Sequence, residues 1–168
     1  MSRAREPCPA KLSAEERAFA TRQRVGHLAT ADAGGVPHVV PICYALVGDN
    51  FYFVVDEKPK RSRHGLKRLR NIAANPQVAL VIDQYDEDWS RLAFLLVQGQ
   101  AAPVTDPSEY AMALEALRQR YPQNRGMALQ CDLHPMVRIA PQRRHLWRAA
   151  GRRVARDEVG CGQVGPRD

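Results

Sequence analysis

Between Val25 and Val55 the chain holds three short runs rich in β-branched and aromatic residues. They are separated by Ala33-Gly34-Gly35 and Gly48-Asp49-Asn50, both turn signals. This pattern predicts an antiparallel meander of Val25–Thr30, Pro37–Val47 and Phe51–Val55. Pro37 and Pro41 fall inside the second strand. A proline donates nothing to a ladder, so an edge, a bulge or a bend is expected there.

The segments around this meander are read from their caps and periods. Ser13, with Glu16 three residues on, makes a capping box for a helix over "SAEERAFATRQ". Leu66, Leu69 and Ile72–Ala73 recur at helical spacing up to the stop at Asn75-Pro76. "QVALVIDQY" and "LAFLLVQGQAAPV" read as two long strands, with Gly99 marking a bulge in the second. Asp106-Pro107-Ser108-Glu109 starts a third helix, whose Tyr110, Ala113, Leu114, Leu117 and Tyr121 share one face up to Pro122. "PMVRIAPQRRHLWRA" reads as a last bent strand or strand pair. The order predicts a mainly β, α+β barrel domain over 13–150, preceded by a loose arm (1–12) and followed by a tail (151–168).

A length of 168 residues, 45% of them hydrophobic, suits one folded domain. Cys8, Cys43, Cys131 and Cys161 are too widely spaced for a zinc site, and they read as free thiols in a reducing cytoplasm. The N-terminal residues lack the apolar stretch of a signal peptide, and no apolar run is long enough to cross a membrane. A glycine-rich phosphate loop, a GxSxG elbow and helical metal-ligand histidine spacings are all absent from the sequence. His38 and Cys43 lie an odd number of residues apart on one predicted strand, so they face opposite ways.

The net charge of +7 is partly concentrated between Lys58 and Arg70. Lys67, Arg68 and Arg70 fit a solvated helix face. Lys58, Lys60 and Arg61 sit between a strand and a helix start, where a lysine and a guanidinium fork suit a phosphate dianion. A nucleic-acid surface would add exposed aromatics, and those nearby, Phe51, Tyr52 and Phe53, lie on a strand with a core face. "DQYDEDWSR" lacks the alternating ligands and central glycine of a calcium loop. Its Trp89 reads first as a core plug and second as a platform for a flat ring.

Taken together, "LATADAGGVPHVVPICY", the basic strand end "DEKPKR", "NPQVAL" and "DEDWSRL" resemble the pyridoxamine 5′-phosphate oxidase-like split β-barrel flavoproteins. The resemblance covers about Val25 to Ala149 and is strongest to the branch of deazaflavin (coenzyme F-420)-dependent oxidoreductases. It implies a six-stranded antiparallel split barrel that forms a homodimer, with coenzyme sites at the interface built from both chains. By position, Val40, Pro41 and Ile42 would line the coenzyme ring, and Val54, Val55 and Asp56 would lie beside it. Lys58, Lys60 and Arg61 would hold its phosphate. Trp89 and Ser90 would make contacts across the dimer, and Trp147 would approach the ring edge. The implied activity is hydride transfer between coenzyme F-420 and a small organic acceptor, with FMN as the alternative coenzyme and a non-catalytic flavin binder as the alternative role. Arg143 and His145 have the Arg-x-His spacing of the vitamin-phosphate oxidases, but the surrounding sequence differs, so that substrate is not implied.

Overall fold

The computed structural model describes residues 10–55 and 65–149. Helix α1 (Ala14–Arg22) begins at the expected capping box: Ser13 Oγ accepts the Glu16 N–H at 3.2 Å, and Glu16 Oε2 accepts the Ser13 N–H at 2.7 Å. The chain is docked before this cap, because Leu12 is buried and its N–H donates to Asp49 Oδ1 at 3.0 Å.

Glu16 Oε2 also accepts Arg144 Nε at 2.7 Å, which ties the helix start to the last strand. Burial alone would raise the Glu16 pKa. The Ser13 N–H and the Arg144 guanidinium outweigh it and hold the carboxyl below its ordinary 4.5. A depressed folded-state pKa gives stability that is complete above the ordinary value and lost as pH falls through the depressed one. Glu16→Gln is therefore expected to cost about 1 kcal/mol at neutral pH. In denaturant titrations the gap to the unsubstituted chain should close on acidification below 4.5. A gap that ignores pH would assign the effect to cap geometry alone.

Seven antiparallel strands form one sheet: β1 (Gly26–Ala31), β2 (Pro37–Ile42), β3 (Ala45–Val47), β4 (Asn50–Val54), β5 (Gln77–Gln84), β6 (Ala93–Pro103) and β7 (Met136–Arg148). Helix α2 (Lys67–Ala74) precedes β5, and α3 (Pro107–Arg120) lies between β6 and β7. The spatial order is β2-β1-β5-β6-β7-β4-β3. β2 and β3 are separated only by Cys43 and Tyr44, yet they stand at opposite ends of that order. The sheet must therefore curl until its two edges approach without pairing, which is a split half-barrel.

Seven strands replace the expected six because Pro37–Val47 is two strands. β2 pairs with β1, and β3 pairs with β4. At the break, the Tyr44 N–H donates to Tyr121 Oη at 3.1 Å. Tyr121 Oη in turn lies 3.0 Å from the Tyr44 carbonyl and 2.7 Å from the Arg24 carbonyl, to one of which it donates. A side chain distant in sequence thus satisfies the backbone groups a ladder would have used. The expected irregularity at Gly99 is present. Gln98 faces Arg143 and Gly99 faces Pro141, so the extra residue, Gln142, bulges from β7.

The barrel interior holds Leu28, Phe51, Phe53, Leu80, Leu95 and Ile139, closed by Phe19 of α1 and by Tyr44. A second core lies on the other face of β3 and β4. There Ala45, Tyr52 and Met136 meet Tyr110, Ala113, Leu114 and Leu117 of α3, the face its spacing predicted. α2 docks through a buried polar pair, Asn71 Nδ2 to Thr30 Oγ1 at 3.0 Å. No described helix is long and apolar enough to cross a membrane.

Candidate functional site

Where β2 leaves the sheet it opposes the end of β4, and between them lies a groove of about 950 Å³. Pro41, Ile42 and Val54 form its near wall, with Cys43 exposed at the lip. The far wall is the end of α3 and the 3-10 turn Pro122–Gly126, which contribute Leu117, Tyr121 and Met127. Its described lining carries three cations, Arg24, Arg68 and Arg120, and no carboxylate. An apolar slot with fixed cations fits a flat ring bearing an anionic arm.

Each guanidinium stands over an aromatic ring. Arg24 lies 5.8 Å from the Tyr121 centroid, Arg68 5.9 Å from Phe53, and Arg120 5.0 Å from Tyr44. Arg120 is the most heavily bonded. Its Nε donates to Tyr121 Oη at 3.1 Å, Nη1 to the Thr21 carbonyl at 2.6 Å, and Nη2 to the carbonyls of Ala20 and Gln23. It satisfies the open C-terminal end of α1 and joins it to α3. Tyr44 Oη donates into the same end, 2.7 Å from the Ala20 carbonyl. Burial pushes the Tyr44 hydroxyl far above the usual tyrosine range, with the Arg120 charge lowering it only in part, so Tyr44 stays neutral and structural.

Of the site residues read from the sequence, the structure brings Pro41, Ile42 and Val54 into the groove. Val40 faces inward opposite Leu28, and Val55 is buried in the core just behind Val54. Asp56, Lys58, Lys60 and Arg61 lie outside the described residues. Trp89, Ser90 and Trp147 do not line the groove. Trp89 is 70% exposed in a short 3-10 turn, so the core reading of this residue is overturned. Its loop is an acidic turn, with Asp88 Oδ1 accepting the Ser90 N–H at 3.1 Å, which leaves the indole nothing to plug. Trp147 stacks on Phe94 at 5.4 Å between centroids. Arg24, Arg120 and the 122–127 wall were missed by sequence reading. They lie at element ends, where no local pattern announces that α3 returns to the β2–β3 break.

The sequence profile of the family described as pyridoxamine 5′-phosphate oxidase matches residues 12–155. The chain belongs to that family. Several solved structures share the fold at low sequence identity. A conserved hypothetical protein, Rv2991, from Mycobacterium tuberculosis superposes with a TM-score of 0.66 at 21% identity, covering 88% of this chain and 91% of that one. The heme storage protein HutZ from Vibrio cholerae gives 0.63 at 21%, covering 83% and 95%. A FAD-binding protein from Mesorhizobium loti gives 0.58 at 24%, covering 82% and 93%. The search of curated proteins returns no match.

Proposed function

We propose that the chain is an oxidoreductase that passes a hydride between bound deazaflavin (coenzyme F-420) and a small organic acceptor. The observation that carries this reading is the groove: an apolar wall at Pro41, Ile42 and Val54 facing three ring-mounted arginines, in a family of flavin-type barrels. FMN is the alternative coenzyme, and the FAD-binding neighbour from Mesorhizobium loti keeps it in view. The heme-storage neighbour raises haem; among the described residues the groove lining holds no histidine, but Cys43, Tyr121 and Met127 are of axial-ligand type.

When bound, the coenzyme supplies the redox chemistry. The chain's own residues bind and orient it. Pro41, Ile42 and Val54 exclude water from one ring face, with Val55 and Asp56 assigned beside the ring, and Lys58, Lys60 and Arg61 hold the phosphate.

The site is completed by a second copy of the chain. Along the outer face of β2, β1, β5 and β6, the register aligns Val39, Ala29, Ala79 and Gln98 in one row and Pro41, His27, Val81 and Leu96 in the next, apolar except for Gln98 at one end and His27. Val39 is 58% exposed, and Ala29, Ala79, Val81 and Leu96 remain partly exposed. Such a broad apolar sheet face is a pairing surface. The acidic loop carrying Trp89 and Ser90 complements the basic groove, which supports its placement against the partner's site, with Trp147 nearby.

The deciding experiment is equilibrium titration of the purified chain with F-420 and with FMN, alongside its mass in sedimentation. A dimer that binds F-420 more tightly than FMN is expected. Lys60→Ala and Arg61→Ala should each weaken coenzyme binding by roughly 10–150-fold, one charge-assisted contact apiece. Binding of neither coenzyme would remove the reading, and unchanged affinity in both variants would remove the phosphate anchor.

A further inference from the structure

The three groove arginines are not equivalent. Arg120 is committed to the end of α1 and to Tyr121. Arg68 stands against Phe53, at the β4 side. Arg24 is exposed and anchored at one point only: its Nη1 donates to the Arg120 carbonyl, while its plane rests near the Tyr121 ring. Among the described residues its other N–H groups meet no acceptor. A guanidinium has five donors in a planar fork, so most of this fork is offered to the groove.

Two amides share that end. Gln123 and Asn124 line the groove from the 3-10 turn, whose backbone is pinned by the Asn124 N–H to the Tyr121 carbonyl at 2.9 Å. Their side-chain amides meet no partner among the described residues. An arginine fork in the same lining as two amides is a recognition set for a planar oxyanion, and no described carboxylate in that lining competes for it.

We infer that Arg24, with the side-chain amides of Gln123 and Asn124, forms an oxyanion-binding end of the groove, and that the acceptor reduced there carries a carboxylate. This deepens the coenzyme reading and rests on it. The phosphate anchor is assigned to the segment after β4, whereas Arg24 belongs to the wall built from the ends of α1 and α3, so the two anionic groups enter from different elements. The same fork chemistry would also fit an acidic arm of the coenzyme itself, and the test separates the two sources.

Cinnamate and cinnamamide, alike in shape and different in charge, are titrated calorimetrically into the full chain, with and without F-420 or FMN. Cinnamate is expected to bind at least about tenfold more tightly than the amide, the effect of one charge-assisted contact. Arg24→Gln should abolish that preference, with a loss of cinnamate affinity larger than any loss of coenzyme affinity. Arg24→Lys, which keeps the charge and loses the fork, should retain part of it. Asn124→Ala should reduce it severalfold and serves if Arg24→Gln does not fold. Equal or absent binding of the two probes, or a preference that survives Arg24→Gln, overturns the inference. A large loss of coenzyme affinity in Arg24→Gln also overturns it, by assigning the fork to the coenzyme's arm. If neither coenzyme binds, the coenzyme reading fails on its own. The cinnamate preference of the coenzyme-free chain then still decides the role of Arg24.

Discussion

Arg120→Ala is expected to destabilise the chain by about 3 kcal/mol or more, the scale of losing a network of charge-assisted bonds. For a domain of this size that is a fall of roughly 6–12 °C in melting temperature. The cost has three parts. The Thr21 carbonyl loses its side-chain donor, and those of Ala20 and Gln23 are left with Tyr44 Oη alone to share at the end of α1. Tyr121 Oη loses one of its donors, which loosens its hold on the Tyr44 backbone at the β2–β3 break. The Tyr44 ring loses the cation it faces, and the Tyr121 ring loses one of its two. Arg120→Lys should recover little, because one ammonium cannot reach several carbonyls arranged around a fork. Coenzyme affinity should fall with stability, since Arg120 and Tyr121 are part of the groove wall. Thermal denaturation of both variants checks this. A melting temperature within about 2 °C of the unsubstituted chain would show that the network is not what holds the break.

That network also explains where sequence reading stopped. Local signals sufficed for α1, whose cap is complete within four residues, and for α3, whose buried face follows its own spacing. The irregularity at Gly99 was legible too, from a glycine inside an apolar run, but not that the extra residue would belong to the facing strand. The division of Pro37–Val47 was not legible. It depends on Tyr121, 77 residues from Tyr44, supplying hydrogen bonds in place of a ladder. Pro41 announced a disturbance in the strand but not that the chain would pass to the opposite edge of the sheet. The same distance effect governed the groove. Pro41, Ile42 and Val54 belong to strand ends flagged by the family pattern, whereas Arg24 and Asn124 matter only because α3 brings its end back to α1. The misreading of Trp89 has a different cause. Its size favoured burial, but the turn around it is built from short polar bonds within the loop itself, between Asp86, Asp88 and Ser90, and leaves the indole outside.

Gly99→Ala is expected to be at least as damaging, for a steric reason alone. A Cβ at Gly99 would lie 2.1 Å from the Ala140 carbonyl oxygen, 2.9 Å from its carbon and 3.1 Å from the Pro141 Cα. All three atoms are backbone of the facing strand, so no rotamer change relieves the clash. β6 and β7 form the longest ladder in the sheet, and the bulge at Gln142 brings β7 close at this point. Accepting a methyl group means parting the ladder or expelling the bulge, at a cost of about 3 kcal/mol or more. Gly35 supplies the contrast. Its φ of 81° is left-handed, and nothing stands within 4 Å of its Cβ position. Alanine there should cost about 1 kcal/mol of backbone strain. Asparagine tolerates that conformation, so Gly35→Asn should recover most of the loss. Gly99→Asn should recover none and do worse than alanine, since the obstacle is contact rather than dihedral angle. Hydrogen exchange at the amides of Ala140 and Gln142 should rise in both Gly99 variants and stay unchanged in the Gly35 pair. Rescue of Gly99 by asparagine would mean that the close approach of β7 is not what demands glycine. The end of β7 beyond the bulge carries Arg144, which grips Glu16, and Trp147. A parted ladder should therefore release the α1 cap as well, and the pH-dependent stability assigned to Glu16 should vanish together with the bulge.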